Sequence, residues 1–115
     1  RGALGLMQII PRTGHALAYE TRVKWNGKKT LYQPGINIAM GAYYLDKLVN
    51  RYGDLRLALE AYNHGPTQLN RYLKRGNRPT KYSEKVFDNY KILKSLRKRV
   101  SPCVMLENSK KEKTN

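Results

Sequence analysis

The 115 residues carry 23 Lys and Arg against 8 Asp and Glu, a formal net charge of +15, so the partner is expected to be anionic: nucleic acid, an acidic membrane surface, or an acidic polysaccharide or cell wall. The length supports one domain with one core and needs neither metal nor disulfide to fold; 40% hydrophobic and 10% aromatic residues suit a globular protein rather than a disordered one. No apolar run is long enough to span a membrane, and a single cysteine, Cys103, excludes an intrachain disulfide. Nine of the aromatic residues are Tyr, against one Phe and one Trp, and Tyr suits the walls of a wet cleft as well as a core. The chain opens at Arg1, without a Met, and reads as a fragment or a processed piece, so a missing targeting segment is uninformative.

In chain order, Gly2 to Gly14 comes first. It sets Gly2 and Gly5 among large apolar residues, with Leu6, Met7 and Ile9 expected in a core. Gly5 allows a close backbone approach or a positive φ. Gln8 has two readings: a buried structural amide with its hydrogen bonds satisfied, or the wall of a cleft in which backbone and amide meet a polar ligand. Thr13 is a candidate N-cap for a short helix reaching Tyr19 or Glu20. Asn26-Gly27 signals a turn, with Trp25 beside it as a packing anchor. Pro34 fits just before a helix start.

The spacing of Ile38, Gly41, Ala42, Leu45, Leu48, Val49 and Tyr52 predicts a helix over Ile36 to Tyr52. Gly41 costs it ~1 kcal/mol relative to Ala, a cost that close packing of another backbone would offset. Gly53 ends this helix and Asp54 caps the next. That next helix, Leu55 to Asn63, is apolar nearly all round and is expected at the centre of the domain. A further helix turns Leu69, Tyr72 and Leu73 inward and stops near Gly76. The last, Tyr82 to Val100, lines up Val86, Phe87, Tyr90, Leu93, Leu96 and Val100 on one face, with Lys85, Lys91, Lys94, Arg97 and Lys98 on the others. Residues 101–115 read as a mobile basic tail. The fold class is all-α, a bundle of five or six short helices.

Few residues offer chemistry. His15, His64 and Cys103 form no nucleophile–base pair and no ligand spacing, so no metal and no cofactor are expected. The acids are Glu20, Asp46, Asp54, Glu60, Glu84, Asp88, Glu107 and Glu112. A general acid needs an apolar, water-poor setting, and none of the eight has one by sequence. Glu60 is expected to point away from the face shared by Ala58 and Tyr62. Ala61-Tyr62-Asn63-His64-Gly65-Pro66 is more promising. Tyr62 offers a stacking surface and a hydroxyl, and Asn63 offers the donors and acceptor that hold an amide or sugar hydroxyls. The alternative places Tyr62 in the core and makes Asn63 a helix-end cap.

Gly2-Ala3-Leu4-Gly5-Leu6-Met7-Gln8 with Pro11, Asn37-Ile38 to Gly41 with Tyr44-Leu45, Tyr52-Gly53-Asp54, the Ala61 to Pro66 segment, and Tyr82 to Val86 together resemble the SLT-type lytic transglycosylases of the goose-type lysozyme superfamily. The likeness runs from Gly2 to about Tyr90. It implies a lysozyme-like helical domain over residues 1–100. It also implies cleavage of the MurNAc–GlcNAc β-1,4 bond of peptidoglycan without water, leaving a 1,6-anhydro muramic end. One Glu serves as acid and then base, unlike the two-carboxylate scheme of most glycosidases. By motif position, Gly5, Gln8, Tyr62, Asn63 and Tyr82 would bind substrate. The family's Glu-Ser motif lies upstream of the residue matching Arg1, so no catalytic residue falls within this chain, and as it stands it is expected not to cleave. The expected partners are peptidoglycan strands and, peripherally, the anionic cell envelope, for a monomer in the bacterial periplasm, envelope or exterior. Two other readings stay open: a non-catalytic peptidoglycan-binding remnant, and a basic helical protein that binds nucleic acid. Nothing resembles a helix-turn-helix or an aromatic RNA platform, which counts against the second.

Overall fold

Proline and glycine punctuate the backbone of the computed structural model, in which residues 2–99 are described. Helix α1 spans Pro11–Thr21, and Pro11 occupies its first position after an extended Ile10. This corrects the expected cap: Thr13 lies inside the helix, because the fixed φ and missing N–H of Pro11 already suit the first turn. The helix stops at Arg22, which is left-handed at φ 59°. One turn of 3-10 helix over Lys29–Tyr32 was not foreseen. Its buried Thr30 accepts the Asn26 N–H through Oγ1 at 2.8 Å, closing the Asn26-Gly27 turn.

Helix α2 spans Pro34–Tyr52, with Pro34 inside it at the first position rather than before it. Gly53 ends α2 in the left-handed region, its N–H bonded to the Val49 carbonyl. Helix α3 spans Leu55–His64, and Asp54 caps it as expected, accepting from the N–H groups of Arg56 (2.7 Å) and Leu57 (3.4 Å). Helix α4, Pro66–Lys74, starts on Pro66 directly after Gly65. Helix α5 spans Lys81–Arg99. Among the described residues β-structure is limited to the isolated bridges Leu4–Ile9 and Asn26–Lys28. The fold is all-α. The predicted tail and Val100, the last residue of the predicted final helix, lie outside the described residues.

The described residues fall into two units, one ending at Pro79 and the other beginning at Thr80. In the first, α2 is the spine of two core clusters. Ile9, Leu17, Ala18, Leu31 and Met40 form one, with Met7, Trp25 and Tyr44 packed against it. Leu48, Ala58, Ala61 and Leu69 form the other, with Tyr44, Tyr52, Tyr62 and Leu73 around them. Tyr44 touches both, and burial pushes its phenol above the ordinary tyrosine value. The inward face of α2 is Asn37, Met40, Gly41, Tyr44 and Leu48, so Ile38 and Ala42, expected inside, are exposed. The displacement has a polar cause: Asn37 takes an inward position that an apolar count assigns to its neighbour. Trp25 stacks on His15 with ring centroids 5.3 Å apart, which makes it the anchor expected beside the turn.

In the second unit, α5 begins after Thr80, whose carbonyl accepts the Glu84 N–H and the Ser83 hydroxyl. On the face expected to be apolar, Val86 and Phe87 are half-buried, whereas Tyr90, Leu93 and Leu96 are exposed.

Candidate active site

The segment Leu4 to Ile9 is a tight hairpin-like loop. Leu4 and Ile9 exchange two backbone hydrogen bonds of 2.9 Å, and Gln8 N–H donates to the Gly5 carbonyl at 3.1 Å. The loop needs two left-handed residues, Gly5 at φ 74° and Gln8 at φ 50°. Glycine adopts that region freely; for Gln8 it is strained, at about 1–2 kcal/mol for an ordinary L-residue. The surrounding structure must supply what holds it there.

That support converges on Met7. The Met7 N–H donates to Asn37 Oδ1 at 2.8 Å. The Tyr62 hydroxyl donates to the Met7 carbonyl at 2.6 Å. The Met7 side chain lies against Gly41, where an added Cβ would come within 2.5 to 2.7 Å of it. The close approach expected at Gly41 is therefore real, but the group approaching is a side chain. Asn37 has no exposed surface, and its Nδ2 also donates to the carbonyls of Leu4 and Leu31, both at 3.0 Å. A Cβ on Gly5 would lie 2.2 Å from that same Nδ2. Gly5 is thus required twice, by its φ and by the amide seated beneath it.

These contacts exclude the buried-amide reading of Gln8. The satisfied buried amide of this loop is Asn37. Gln8 is exposed, and its Nε2 donates to the Gly5 carbonyl at 2.9 Å. Leu6, expected in the core, is 75% exposed. Inward Met7 forces its two neighbours outward, because adjacent residues of so tight a loop cannot share one side. Of the expected core residues only Ile9 is fully buried.

Tyr62 and Asn63 occupy the C-terminal turn of α3. Tyr62 is half-buried, with its ring 5.3 Å from that of Tyr44: its body packs in the core, as the core reading has it, and its hydroxyl holds the loop. Asn63 is exposed and is not the cap, since Gly65 closes the helix on the Ala61 carbonyl. The Tyr62–Met7 bond therefore brings Gln8 and Asn63 to either side of one contact, across 55 residues of sequence. Tyr82 lies on α5 in the second unit, half-buried.

Glu60 overturns one expectation. It is 1% exposed, with its carboxylate 3.5 Å from Nε2 of His64 one turn later. The residues Ala58 to Ala61 are buried consecutively, and four consecutive helical positions cover nearly the whole circumference. The middle of α3 therefore has no solvent face for Glu60 to take. So little exposure also keeps a large substrate off its carboxylate. His64 ends α3 and sets its ring edge-on to Tyr72 at 5.4 Å, as a helix-end residue. Elsewhere, Glu20 is held on the surface by Lys47 Nζ, 2.8 Å from both carboxylate oxygens. That hydrogen bond holds its carboxyl below the usual range, and the Glu20 carboxylate in turn raises the Tyr43 phenol.

The residue that sequence reasoning undervalued is Asn37. The available signal was an amide four residues before Gly41, on a helix face otherwise apolar. Such a polar side chain must find partners, and a glycine one turn on marks where another segment comes close.

The loop is thus fastened to two helices, to α2 through Asn37 and Gly41 and to α3 through Tyr62, with Gln8 and Asn63 exposed next to the residues of the Tyr62–Met7 bond. The sequence model of the Transglycosylase SLT domain matches residues 1–85, and the chain belongs to that family. It is 37% identical over 92 residues to the "Transglycosylase" of Enterobacteria phage PRD1, covering 80% of this chain and 30% of that protein. It is 36% identical over 74 residues to the "Soluble lytic murein transglycosylase" of Salmonella typhimurium, covering 63% of this chain and 12% of that protein. The chain thus spans less than a third of the length of these relatives. No solved structure matches it.

Proposed function

We propose that residues 1–100 supply the glycan-binding walls of a peptidoglycan lytic transglycosylase domain, one that cleaves the MurNAc–GlcNAc β-1,4 bond and leaves a 1,6-anhydro muramic end. The observation that carries this is the 2.6 Å bond from Tyr62 to the Met7 carbonyl, which joins two of the segments that carry the family likeness. In this reading Gly5 exposes backbone at the cleft, Gln8 and Asn63 present amides to the N-acetyl groups and hydroxyls of the sugars, Tyr62 fixes the wall, and Tyr82, by its motif position, is a further sugar-binding residue. The excess of cations favours an anionic cell wall, and the place of action is the bacterial periplasm or cell envelope.

The 115 residues contain no Glu-Ser pair, and the one buried acid among the described residues, Glu60, is closed off from solvent. Residues 1–115 alone are therefore expected to bind glycan and not to cleave it. Purified chain incubated with sacculi tests both halves. Binding should fall about tenfold in Gln8→Ala and in Asn63→Ala, the loss of roughly one well-placed hydrogen bond to a polar ligand. Chain that ignores sacculi, or binding that both substitutions leave intact, would overturn the glycan reading. Release of anhydro-muropeptides would overturn the absence of an acid.

A further inference from the structure

The C-terminal half of α5 carries a surface that glycan binding does not use. Residues 89–99 read Asn-Tyr-Lys-Ile-Leu-Lys-Ser-Leu-Arg-Lys-Arg: five cations and no acid. At about 100° per residue, Tyr90, Leu93 and Leu96 fall on one side with Ile92 at its edge. Lys91, Lys94 and Lys98 fall on the other, Arg99 lies at the border beside Ile92, and Arg97 lies between Tyr90 and Leu93. The apolar side is open: Tyr90 and Ile92 are each 57% exposed, Leu93 63% and Leu96 50%. Four large apolar side chains left in water on about two helical turns ask for an occupant.

We propose that this face of α5 docks, lying flat, on an anionic lipid surface. The charge is complementary, and it is placed as an interface requires. Three cations fill the polar side, Arg99 lies at the border beside Ile92 and Arg97 beside Tyr90, so the long Lys and Arg stems can run along the apolar strip while their heads reach lipid phosphates. A helical protein partner fits less well. Either heptad register through Leu93 puts a polar residue, Asn89 or Arg97, on the seam, which interrupts coiled-coil packing. No helix among the described residues is long and apolar enough to cross a membrane, so the helix would lie on the surface rather than span it. The proposal rests on α5 alone and is independent of the glycan reading.

The test is co-sedimentation of the full chain with vesicles of phosphatidylcholine alone and of phosphatidylcholine mixed with phosphatidylglycerol, with binding to sacculi measured in parallel. The unsubstituted chain should partition to the anionic vesicles and not to the neutral ones. Lys94→Gln with Lys98→Gln should lower partitioning on the order of 25-fold, roughly fivefold per cation. Leu93→Ser with Leu96→Ser should lower it at least about tenfold by removing buried apolar area, and the leucine pair should leave retention on sacculi unchanged. Circular dichroism confirms that each variant keeps its helix. The lipid preference of the unsubstituted chain needs no variant at all. Equal partitioning to both vesicle types, no partitioning, or partitioning indifferent to the leucine pair would overturn the proposal. So would an acidic amphipathic peptide that binds this face while anionic vesicles do not.

Discussion

Removing the Asn37 amide should expose how the Leu4–Ile9 loop is held. In Asn37→Ala, Met7 N–H and the Leu31 carbonyl lose the partners seen at 2.8 and 3.0 Å, while the Leu4 carbonyl keeps its bond from Ile9. Two groups left without partners, one of them in the core, cost about 2–4 kcal/mol together, a large part of a typical domain's 5–15 kcal/mol. Gly5→Ala costs more in the parent. A left-handed alanine costs about 1–2 kcal/mol, and its Cβ, 2.2 Å from Asn37 Nδ2, must also drive the amide out of its bonds. The sum is about 3–6 kcal/mol. In the Asn37→Ala background the amide is gone and only the backbone strain remains, so Gly5→Ala should cost about 1–2 kcal/mol there. Urea unfolding of the four proteins of this cycle measures the coupling, expected at about 2–4 kcal/mol. Additivity within about 0.5 kcal/mol, the behaviour of independent sites, would refute the seating of Asn37 beneath Gly5.

Three more substitutions probe what the fold rests on. Gly41→Ala gains about 1 kcal/mol of helix propensity, yet its Cβ would meet the Met7 Cβ and Cγ at 2.5 and 2.6 Å. Because Met7 is fastened at both its N–H and its carbonyl, overpacking of about 1–3 kcal/mol should win, lowering the thermal midpoint; Met7→Ala should restore it, and a higher midpoint for the single variant contradicts the contact. Asp54→Ala should cost about 1–2 kcal/mol through the lost cap, whereas Arg78→Ala, which removes only the exposed ion pair with Asp54, should cost under about 1 kcal/mol; equal losses in chemical denaturation would assign the effect to the pair instead of the cap. The lowered Glu20 carboxyl makes its bond to Lys47 a source of stability at pH values above the ordinary carboxylate range, lost as pH falls through the lowered folded-state value. Lys47→Met should therefore be less stable than the parent by up to about 1 kcal/mol near neutrality, with the gap closing in acid; a gap unchanged down to strong acid would show that Glu20 is not involved.

The elements were legible because they depend on short-range chemistry. Gly53 and Asp54 mark the α2–α3 junction, and Gly65 and Pro66 the α3–α4 junction, by φ preference, capping and the missing proline N–H. Each acts over a few residues whatever the rest of the chain does. The first helix was misjudged on the same scale, where Pro11 displaced Thr13 as the start. The class all-α and the family likeness, carried by the loop and the Tyr62-Asn63 segment, were also present in the one-dimensional string.

The side a residue faces was decided by tertiary structure. Gln8 and Asn37 are both amides among apolar neighbours, and nothing local distinguishes the exposed one from the one with no exposed surface. What separates them is the arrival of Met7 against Gly41 and of the Tyr62 hydroxyl on the Met7 carbonyl, contacts made from 34 and 55 positions along the chain. Glu60 is buried because the middle turn of α3 is enclosed on all sides, although its own charge argues for the surface. Sequence by itself determined where helices begin and end and which motifs the chain carries, since those follow from backbone torsions and nearby hydrogen bonds. Only the packed structure decided which amide holds the loop and which amides, Gln8 and Asn63, are left facing outward, since burial depends on segments that meet only after folding.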